Sequence, residues 1–398
     1  MKIAMLTSVG DKCGIAAYTS KLIAALQRLP RIEVVVIPIT PGKQPLEHYQ
    51  EQAKLLNADD IDLVHVQHEH SFWGGVLPGY SAFWEIRYLI RKPIVLTAHT
   101  TYTLAHMLRL PTEKRPHIWL AKKLLTLRKR YRDSVDTAPF ATAYTIVHTL
   151  EAGQELVARG VLPQHMAVIP AGVPETVPAT SNGSEFRRKY GLEGKRVLTT
   201  FGYIAFNKGY ELTLEILPTL PKDTAFVIAG GLRTEDMEPY KAALEAQIQS
   251  KGLEGRVVIT GYLTEEEIAE AMAGTDIVLV PHTEATGSYS VTIPIAYGKA
   301  ILSSDLACFR EIQGRHPCLD LFHAGDREDY RAKLEALLAN PTHQKELEIG
   351  SQEYAEKFSW DAIAKVTVKT YRDAMEAYGV SPKNFVPLTT IKSLSKRQ

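Results

Sequence analysis

Short apolar runs alternate with longer amphipathic runs along most of this chain. Near the amino terminus the order is KIAMLTS, AAYTSKLIAALQRL and EVVVIPI, and the apolar runs DLVHVQH and PIVLTAH follow. Short runs rich in β-branched residues are typical of buried strands, and the longer runs have helical spacing. This alternation predicts parallel sheets covered by helices, with ligands bound outside the carboxyl ends of the strands.

A second series of the same kind begins after a polar, turn-rich segment, PATSNGS. Its apolar runs are RVLTTFGYI, AFVIAGG, RVVITGYL, DIVLVPH and AILSSD. The sequence therefore predicts an α/β protein of two doubly wound domains, residues 1–178 and 179–358, with a linker near residues 178–183. The segment SWDAIAKVTVKTYRDAM predicts a helix over residues 359–380, and the polar residues 381–398 are expected to form a tail with little order.

The charges and cysteines of the chain argue against several classes of protein. The formal net charge of +1 over 398 residues provides no overall attraction to nucleic acid. The three cysteines, Cys13, Cys308 and Cys318, lack the spacing of a metal site or of a disulfide framework. Neither a signal peptide nor an apolar run of membrane-spanning length is evident. We expect a cytoplasmic protein that binds no nucleic acid.

One loop of the second series has the composition of an anion site. Residues 281–300 read PHTEATGSYSVTIPIAYGKA and lie between the apolar runs DIVLV and ILSS. The loop contains the carboxylate of Glu284, and a helix is predicted to begin near Ser290, so that the free amides of its first turn point into the loop. Phosphate plus sugar is the simplest ligand that needs both groups. A solvated acid followed by ordinary helix caps fits the same residues.

Other strand ends carry residues suited to a phosphorylated ligand. Gly14, in SVGDKCGIAAYT, and Lys208, in FGYIAFNKGYE, lie between a strand and a helix. The backbone can approach a ligand closely at such a glycine, and the lysine can neutralise a diphosphate. The glycine spacing differs from the dinucleotide fingerprint, which argues against a nicotinamide dehydrogenase. Tyr262 and Leu263 follow the strand VVIT, where an aromatic side chain and exposed backbone can hold a nucleobase.

Histidines follow two strands of the first series. His65, His68 and His70 occur in VHVQHEH, and His99 follows the strand VLTA. Because neighbouring side chains of a strand point to opposite faces, we do not expect the first three to converge on a metal. The position of His99 at a carboxyl strand end favours a ligand contact, although a buried structural histidine also fits.

Taken together, these segments resemble the GT-B glycosyltransferases, and specifically the large retaining family 4. The resemblance covers almost the whole chain and rests on the order of CGIAAYT, DLVHVQHE, TAHT, VIPAGV, FGYIAFNKG, VVITGYL, the Glu284 loop and FSWDAIA. It implies two Rossmann-like domains that face a central cleft. The first would bind mainly the acceptor, the second mainly the nucleotide sugar, and the last helix would cross back to the first domain.

The resemblance also implies an activity. A hexosyl unit would pass from a UDP- or GDP-linked sugar to a hydroxyl of a saccharide or lipid-linked saccharide, with retention of anomeric configuration. The expected pathway is polysaccharide or glycolipid biosynthesis. The nucleotide diphosphate sugar is the donor substrate, and neither a metal nor another cofactor is implied.

Individual residues receive roles from the same resemblance. Lys208 matches a lysine at the diphosphate, Glu284 matches the first acid of a Glu-x7-Glu motif, and His99 matches a histidine that contacts the donor sugar. These three are the expected catalytic residues. The residues expected to bind the donor are Gly14, Gly202, Tyr203, Tyr262, Leu263, Gly287, Ser288, Tyr289, Ser290 and Thr292.

The chain departs from the family pattern at two positions. Thr292 stands where the second acid of the motif is expected, so a hydroxyl replaces the carboxylate that holds the ribose. Tyr203 stands where an arginine usually accompanies the phosphate lysine. Lys208 must therefore act alone, or Arg233 or Arg310 must reach the phosphates.

Residues 109–132 are strongly basic and carry interleaved apolar side chains. The segment includes RLPTEKRPHIWLAKKLLTLRKRYR, in which a single acid opposes nine cations. An amphipathic helix of this kind is suited to peripheral contact with an anionic membrane, here the inner membrane face, or to a lipid diphosphate acceptor. A solvated helix that packs its leucines on the sheet fits equally well.

Two alternatives to a transferase remain open at the level of sequence. The missing second acid and missing arginine are compatible with a non-catalytic GT-B subunit that only binds nucleotide sugar. A non-hydrolysing nucleotide-sugar epimerase shares the GT-B architecture and the same ligands. Turnover of the donor distinguishes the three.

Overall fold

The structure of the protein is a computed structural model that describes residues 1–10, 13–73, 83–107, 120, 123–124, 127–232, 235–285 and 289–380. Its contacts divide the chain into two compact units. The first consists of Met1–Pro170 and Trp360–Gln398, and the second of Ala171–Ser359. Most of the basic segment at residues 109–132, and the predicted tail at residues 381–398, lie outside the described residues.

The first unit is built on a parallel sheet of six strands in the order β2-β1-β3-β4-β5-β6. The central strand β3 is buried along its whole length, as expected for a parallel strand with helices on both faces. At the edge, β2 alternates between buried and exposed residues. The strands are β1 (Lys2–Thr7), β2 (Glu33–Pro38), β3 (Leu63–His68), β4 (Ile94–Ala98), β5 (Tyr144–Val147) and β6 (Met166–Val168).

Seven described helices lie in the amino-terminal part of the first unit. The first of them buries Tyr18, Leu22 and Leu26, which are spaced by four residues and therefore share one face. The helices are α1 (Gly14–Gln27), α2 (Leu46–Leu56), α3 (Phe83–Leu89), α4 (Leu104–Met107), α5 (Lys129–Asp136), α6 (Ala138–Ala141) and α7 (Leu150–Ala158).

The second unit repeats the architecture with another parallel sheet of six strands, in the order β12-β11-β10-β7-β8-β9. Its core strand β8 is buried at every residue. The strands are β7 (Arg196–Phe201), β8 (Thr224–Ala229), β9 (Val257–Ile259), β10 (Ile277–Val280), β11 (Ala300–Ser304) and β12 (Asp320–Phe322). Its described helices are α8 (Ser184–Lys189), α9 (Tyr210–Ile216), α10 (Glu238–Ser250), α11 (Glu265–Ala273), α12 (Tyr289–Ala296), α13 (Ala307–Arg315), α14 (Arg327–Ala339) and α15 (Pro341–Lys357).

The last described helix, α16 (Trp360–Val380), packs on the first unit. It buries one face that includes Trp360, Ile363 and Tyr371. Near its start, Asp361 forms an ion pair with Arg28 of α1, with 2.6 Å between Oδ1 and Nη2. Helices and parallel strands therefore form two separate layered cores, and the prediction of two doubly wound α/β domains is confirmed.

Candidate functional site

The carboxyl ends of β7, β8 and β9 approach one another through glycine backbones. A Cβ atom on Gly230 would lie 2.1 Å from the carbonyl oxygen of Gly202, and one on Gly231 would lie 2.9 Å from the amide nitrogen of Tyr262. Gly202 has a φ of +110°, which favours glycine. Only glycine fits at Gly230, so this strand edge presents backbone rather than side chains.

Lys208 is held beside this edge by a tight turn. A 3-10 turn, Phe206–Lys208, ends at Gly209, which has a φ of +68° and begins α9. A Cβ atom on Gly209 would lie 1.9 Å from the carbonyl oxygen of Pro281, the residue that follows β10. The turn is therefore pressed against the end of β10, and the lysine is fixed in position by backbone packing.

The side chain of Lys208 is only 8% exposed. Its Nζ donates to the carbonyl oxygen of Phe201, at 3.2 Å, and to Oγ of Ser290, at 2.9 Å. Lys208 also lies next to Gly202, because a Cβ atom on that glycine would be 3.1 Å from Nζ. Three of the residues expected to bind the donor phosphates, Gly202, Lys208 and Ser290, are thus in mutual contact.

Lys208 has no carboxylate partner among the residues that the structure describes. Burial lowers the pKa of its ammonium group to about 8, since removal from water disfavours the charged form. A buried cation with only neutral partners is a site that an anion stabilises.

The segment that carries Glu284 is joined to the Lys208 turn by the neighbouring asparagine. Asn207 Nδ2 donates to the carbonyl oxygen of Glu284 at 2.9 Å, and the amide of Thr283 donates to the carbonyl oxygen of Asn207 at 3.0 Å. The side chain of Glu284 is exposed. The exposed carboxylate of Glu284 and the buried ammonium group of Lys208 are therefore carried by two short segments that are hydrogen-bonded to each other.

His282 lies between these features and was missed in the sequence. Its ring is buried against Phe309, with 5.5 Å between ring centroids, and burial lowers its pKa to about 3. The ring is therefore neutral at neutral pH. A histidine two residues before Glu284 was the available signal, but its burial depends on α13, which is distant in sequence.

Helix α12 begins at Tyr289 and places Ser290 against Lys208. The side chain of Thr292 is buried, and its hydroxyl donates to the carbonyl oxygen of Tyr289 within the same helix, at 2.7 Å. The hydroxyl that replaces the expected acid is thus engaged inside the helix. Gly287 and Ser288 lie outside the described residues.

The remaining predicted donor residues of the second unit differ in exposure. Tyr262 is 72% exposed, whereas Leu263 is 6% exposed and packs in a cluster with Phe186 and Ala229. Only the backbone of Leu263 is therefore placed to meet a ligand. Tyr203 is half-buried, and its carbonyl oxygen accepts from the hydroxyl of Tyr210 at 3.4 Å.

Of the two arginines considered as substitutes for the missing family arginine, the structure describes only Arg310. Arg310 Nη1 donates to the carbonyl oxygen of Asp305 and lies 4.0 Å from Oδ2 of the same residue. Arg233 lies outside the described residues. Lys208 is the cation that the described structure places beside Ser290.

In the first unit, His99 follows β4 and is held by Gln67. The two atoms in contact are His99 Nε2 and Gln67 Oε1, 2.8 Å apart, and burial holds the pKa of His99 well below its usual value. The rings of Tyr18 and His148 lie 5.0 Å and 5.4 Å from the ring of His99. Gly14 begins α1, is exposed and has open space at its Cβ position.

Three other histidines of the first unit, His65, His68 and His70, are buried within the core. Burial lowers the pKa of His65 to about 3 and of His70 to about 4. Among the described residues, no group of three histidine, cysteine or acidic side chains could hold a metal ion. Within the same residues, no helix combines the length and apolar character needed to cross a bilayer.

Comparison with known protein families matches a glycosyltransferase model to each half of the chain. The Glycosyltransferase Family 4 model matches residues 15–177, and the model for Glycosyl transferases group 1 matches residues 183–355. Together the two matches cover most of the chain.

Among curated relatives, mannosylfructose-phosphate synthase of Agrobacterium fabrum is 26% identical over 52% of this chain and 47% of its own length. The 2-deoxystreptamine glucosyltransferase of Streptomyces kanamyceticus is 26% identical over 60% of this chain and 58% of its own length. The chain thus spans about half the length of the curated relatives it matches.

Among solved structures, the Anabaena protein Alr3699/HepE in complex with UDP is 17% identical. It covers 94% of this chain and 100% of its own, with a TM-score of 0.68. The structural likeness establishes a common fold. The two family models match the amino-terminal and carboxyl-terminal halves of this chain in order. The chain therefore belongs to the glycosyltransferases of GT-B fold, as a family 4-like member.

Proposed function

We propose that the protein is a retaining glycosyltransferase that transfers a hexosyl unit from a UDP- or GDP-linked sugar to a hydroxyl acceptor. The acceptor is a saccharide or a lipid-linked saccharide, in polysaccharide or glycolipid biosynthesis, and transfer needs no metal. The observation that carries the proposal is the buried ammonium group of Lys208, which has no carboxylate partner among the described residues and lies beside Ser290 and the first turn of α12. A diphosphate is the ligand that these groups suit best.

The proposed mechanism follows from where negative charge develops during the reaction. As the bond between the anomeric carbon and the phosphate oxygen breaks, negative charge gathers on the leaving diphosphate. Lys208 Nζ and the amides at the start of α12 stabilise this charge without having to reorganise. The acceptor oxygen bonds to the anomeric carbon, and its proton passes to the leaving phosphate oxygen.

The exposed carboxylate of Glu284 is proposed to hold hydroxyls of the donor sugar. Its main chain is fixed to the Lys208 turn through Asn207, so the sugar-binding acid and the phosphate-binding cation keep a set separation. Tyr262, exposed at the end of β9, is proposed to stack on the nucleobase. The roles of Gly14 and His99 at the donor remain predictions from the family resemblance.

The donor class is supported by what related proteins bind. Alr3699/HepE was crystallised with UDP and also with UDP-glucose. One curated relative is named as a glucosyltransferase. These names make UDP-glucose the first donor to test.

Nucleotide binding tests the donor site directly. UDP, GDP, ADP and CMP are added with and without magnesium, and the shift in unfolding temperature is measured for the wild type, Lys208→Ala and Glu284→Ala. A ligand at a hundredfold excess over its dissociation constant should stabilise the wild type by about 2.7 kcal/mol. We expect Lys208→Ala to abolish this stabilisation without magnesium and Lys222→Ala, at an exposed lysine of the same unit, to retain it.

Donor turnover tests the reaction class. Transfer to an acceptor or slow hydrolysis, with retained configuration in the NMR spectrum of the product, is the expected result. A changed sugar without release of nucleotide would identify an epimerase, and binding without turnover a non-catalytic subunit. Absence of stabilisation by all four nucleotides would contradict the donor site itself.

Peripheral contact with an anionic membrane, at the cytoplasmic face, is proposed for the basic segment. Within its described part, Leu120, Leu124 and Leu127 are exposed and have helical spacing, and Arg128 and Lys129 beside them are exposed as well. Leucines that face water next to cations suit an anionic lipid surface. Co-sedimentation with vesicles should be stronger for anionic than for neutral lipid and should weaken in Leu124→Ser, and equal binding to both vesicles would refute the proposal.

A further inference from the structure

A chain of buried hydrogen bonds joins α16 to His99. The hydroxyl of Tyr371 lies 2.7 Å from Nδ1 of His65, and Nε2 of His65 lies 2.8 Å from Oγ1 of Thr97 and 3.3 Å from Nε2 of Gln67. Oε1 of Gln67 then lies 2.8 Å from Nε2 of His99. All five residues belong to the first unit, and four of them are fully or almost fully buried.

Two observations constrain where the protons lie in this chain of hydrogen bonds. Burial lowers the pKa of His65 to about 3, so its ring is neutral and carries a single N–H. The amide nitrogen of Gln67 also lies 3.3 Å from the sulfur of Met5, which can only accept. With its two N–H groups directed at Met5 and at His65, the amide presents its oxygen to His99.

One arrangement leaves a single donor, the Tyr371 hydroxyl, without an acceptor among the described residues. His65 Nε2 accepts from Thr97 and from Gln67, His65 Nδ1 donates to Tyr371, and Gln67 Oε1 accepts from His99 Nε2. The reverse arrangement directs the Gln67 oxygen at the Met5 sulfur and leaves both the Thr97 hydroxyl and one amide N–H without an acceptor among the described residues. Buried donors without acceptors are costly, so the first arrangement is favoured.

We infer that Thr97, His65 and Gln67 are positioning residues that fix His99 in the tautomer with its proton on Nε2. Nδ1 of His99 is then an acceptor, able to receive a hydrogen bond from a hydroxyl. Among the described residues, Nδ1 of His99 has no hydrogen-bond partner. Only the use of this acceptor by a sugar rests on the proposed function, since the tautomer belongs to the unliganded protein.

The two arrangements also predict what happens when the Tyr371 hydroxyl is removed. In Tyr371→Phe, His65 Nδ1–H would lose its acceptor inside the core. The reverse arrangement would still leave the Thr97 hydroxyl and one amide N–H without acceptors among the described residues, so it remains the more costly of the two. His65 therefore keeps its proton on Nδ1, and His99 keeps its proton on Nε2.

The test is an NMR measurement on the full-length protein labelled with 15N-histidine. Long-range proton–nitrogen correlation spectra distinguish protonated from unprotonated ring nitrogens, and the His99 signals are identified by their loss in His99→Asn. We expect the Nε2–H tautomer in the wild type and in Tyr371→Phe, and a weaker preference for it in Gln67→Met. Tyr378→Phe is the matched control, because Tyr378 lies on the same helix but donates to the carbonyl oxygen of Arg91.

A second variant acts from the other side of His65. In Gln67→Met the acceptor of His99 Nε2–H is lost while side-chain volume is nearly kept, so the tautomer preference should weaken. A wild-type His99 with its proton on Nδ1, or an unchanged tautomer preference in folded Gln67→Met, overturns the inference. If the tautomer changes but transfer does not, the inference stands and the role of His99 in the proposed function fails.

Discussion

At the scale of single residues, Lys208 differs from Arg187, another partly buried cation of its unit, in what it contacts. Arg187 donates to both carboxylate oxygens of Asp276, at 2.9 Å and 3.0 Å. Among the described residues, Lys208 donates to a carbonyl oxygen and a hydroxyl and to no carboxylate. The protein thus keeps a desolvated positive charge whose compensation comes from neutral dipoles, which is the arrangement expected at an anion-binding site.

Because burial lowers the pKa of Lys208 to about 8 from its ordinary value of 10.5, its charge opposes folding below pH 8. Between these two values the unfolded chain binds more protons than the folded protein, so the free energy of unfolding rises with pH. Relative to Lys208→Met, the wild type should gain roughly 3 kcal/mol of stability between pH 8 and pH 10.5. Urea unfolding of both proteins across this range measures the difference.

The exposed Lys222 provides the control for this measurement. Lys222→Met should show the same pH dependence as the wild type, because the side chain of Lys222 is exposed to water in the folded protein. A constant difference between the wild type and Lys208→Met across the range would mean that the folded protein does not depress the pKa of Lys208.

At the level of residues, the sequence indicated positions that follow from the strand–helix pattern, whereas the roles of these residues stay predictions. Lys208 and Ser290 are both at strand–helix junctions, and the structure brings them to 2.9 Å. His282 and Gln67 were not found, because each acquires its environment from segments far away in the sequence. The hydroxyl of Thr292 was expected to face a ligand, but its bond to the carbonyl oxygen of Tyr289 depends on a rotamer that no pattern reveals.

At the scale of elements, the site depends on the turn between β7 and α9. Its last residue, Gly209, combines a φ of +68° with a close approach to the carbonyl oxygen of Pro281. The sequence placed a loop here because Lys208 and Gly209 separate an apolar run from an amphipathic one. It did not reveal that the loop is packed against β10, since the strand order β10-β7-β8 is set by the whole sheet.

Gly209→Ala should therefore destabilise the second unit by more than a left-handed conformation alone explains. The methyl group meets a carbonyl oxygen at 1.9 Å, so the turn must move away from β10. We expect a loss of at least about 3 kcal/mol, in the range that a strained, overpacked site produces. Chemical unfolding of the variant and the wild type measures the loss.

Gly252→Ala separates the two causes. Gly252 has nearly the same backbone angle, a φ of +63°, but has no atom within 4 Å of its Cβ position. Its replacement should cost only about 1–2 kcal/mol, the price of a left-handed alanine. Equal losses for the two variants would show that the contact with Pro281 does not hold the turn.

At the scale of the whole molecule, the two units differ in whether one continuous segment of the chain forms them. The second is continuous, whereas the first is completed by α16, which comes after the second in sequence. The ends of the second unit are joined where the amide of Val173 donates to the carbonyl oxygen of Phe358, at 2.9 Å. The side chain of Val173 is buried in the core of this unit.

These contacts lie near the two ends of the second unit, Ala171–Ser359, for which the sequence predicted residues 179–358. We propose that a fragment of residues 171–359 folds alone and unfolds cooperatively, because it retains Val173 and its backbone pair. A fragment of residues 179–358 loses a buried valine and this pairing, and should be less stable by about 2–4 kcal/mol. Urea unfolding monitored by circular dichroism compares the two fragments.

The first unit should behave differently when α16 is removed. Residues 1–170 alone would expose the surface that Trp360, Ile363 and Tyr371 cover, and burial of each such side chain stabilises a fold by roughly 1.5–3 kcal/mol. Because a domain is stable by only about 5–15 kcal/mol, we expect no cooperative unfolding transition for this fragment. A synthetic peptide of residues 360–380 added in trans should restore the transition, whereas the same peptide with Tyr371→Asp should not. Cooperative unfolding of residues 1–170 at the stability of the intact first unit would show that α16 lies on a core that is already complete. The hydrogen-bonded chain from Tyr371 to His99 would then have no energetic basis.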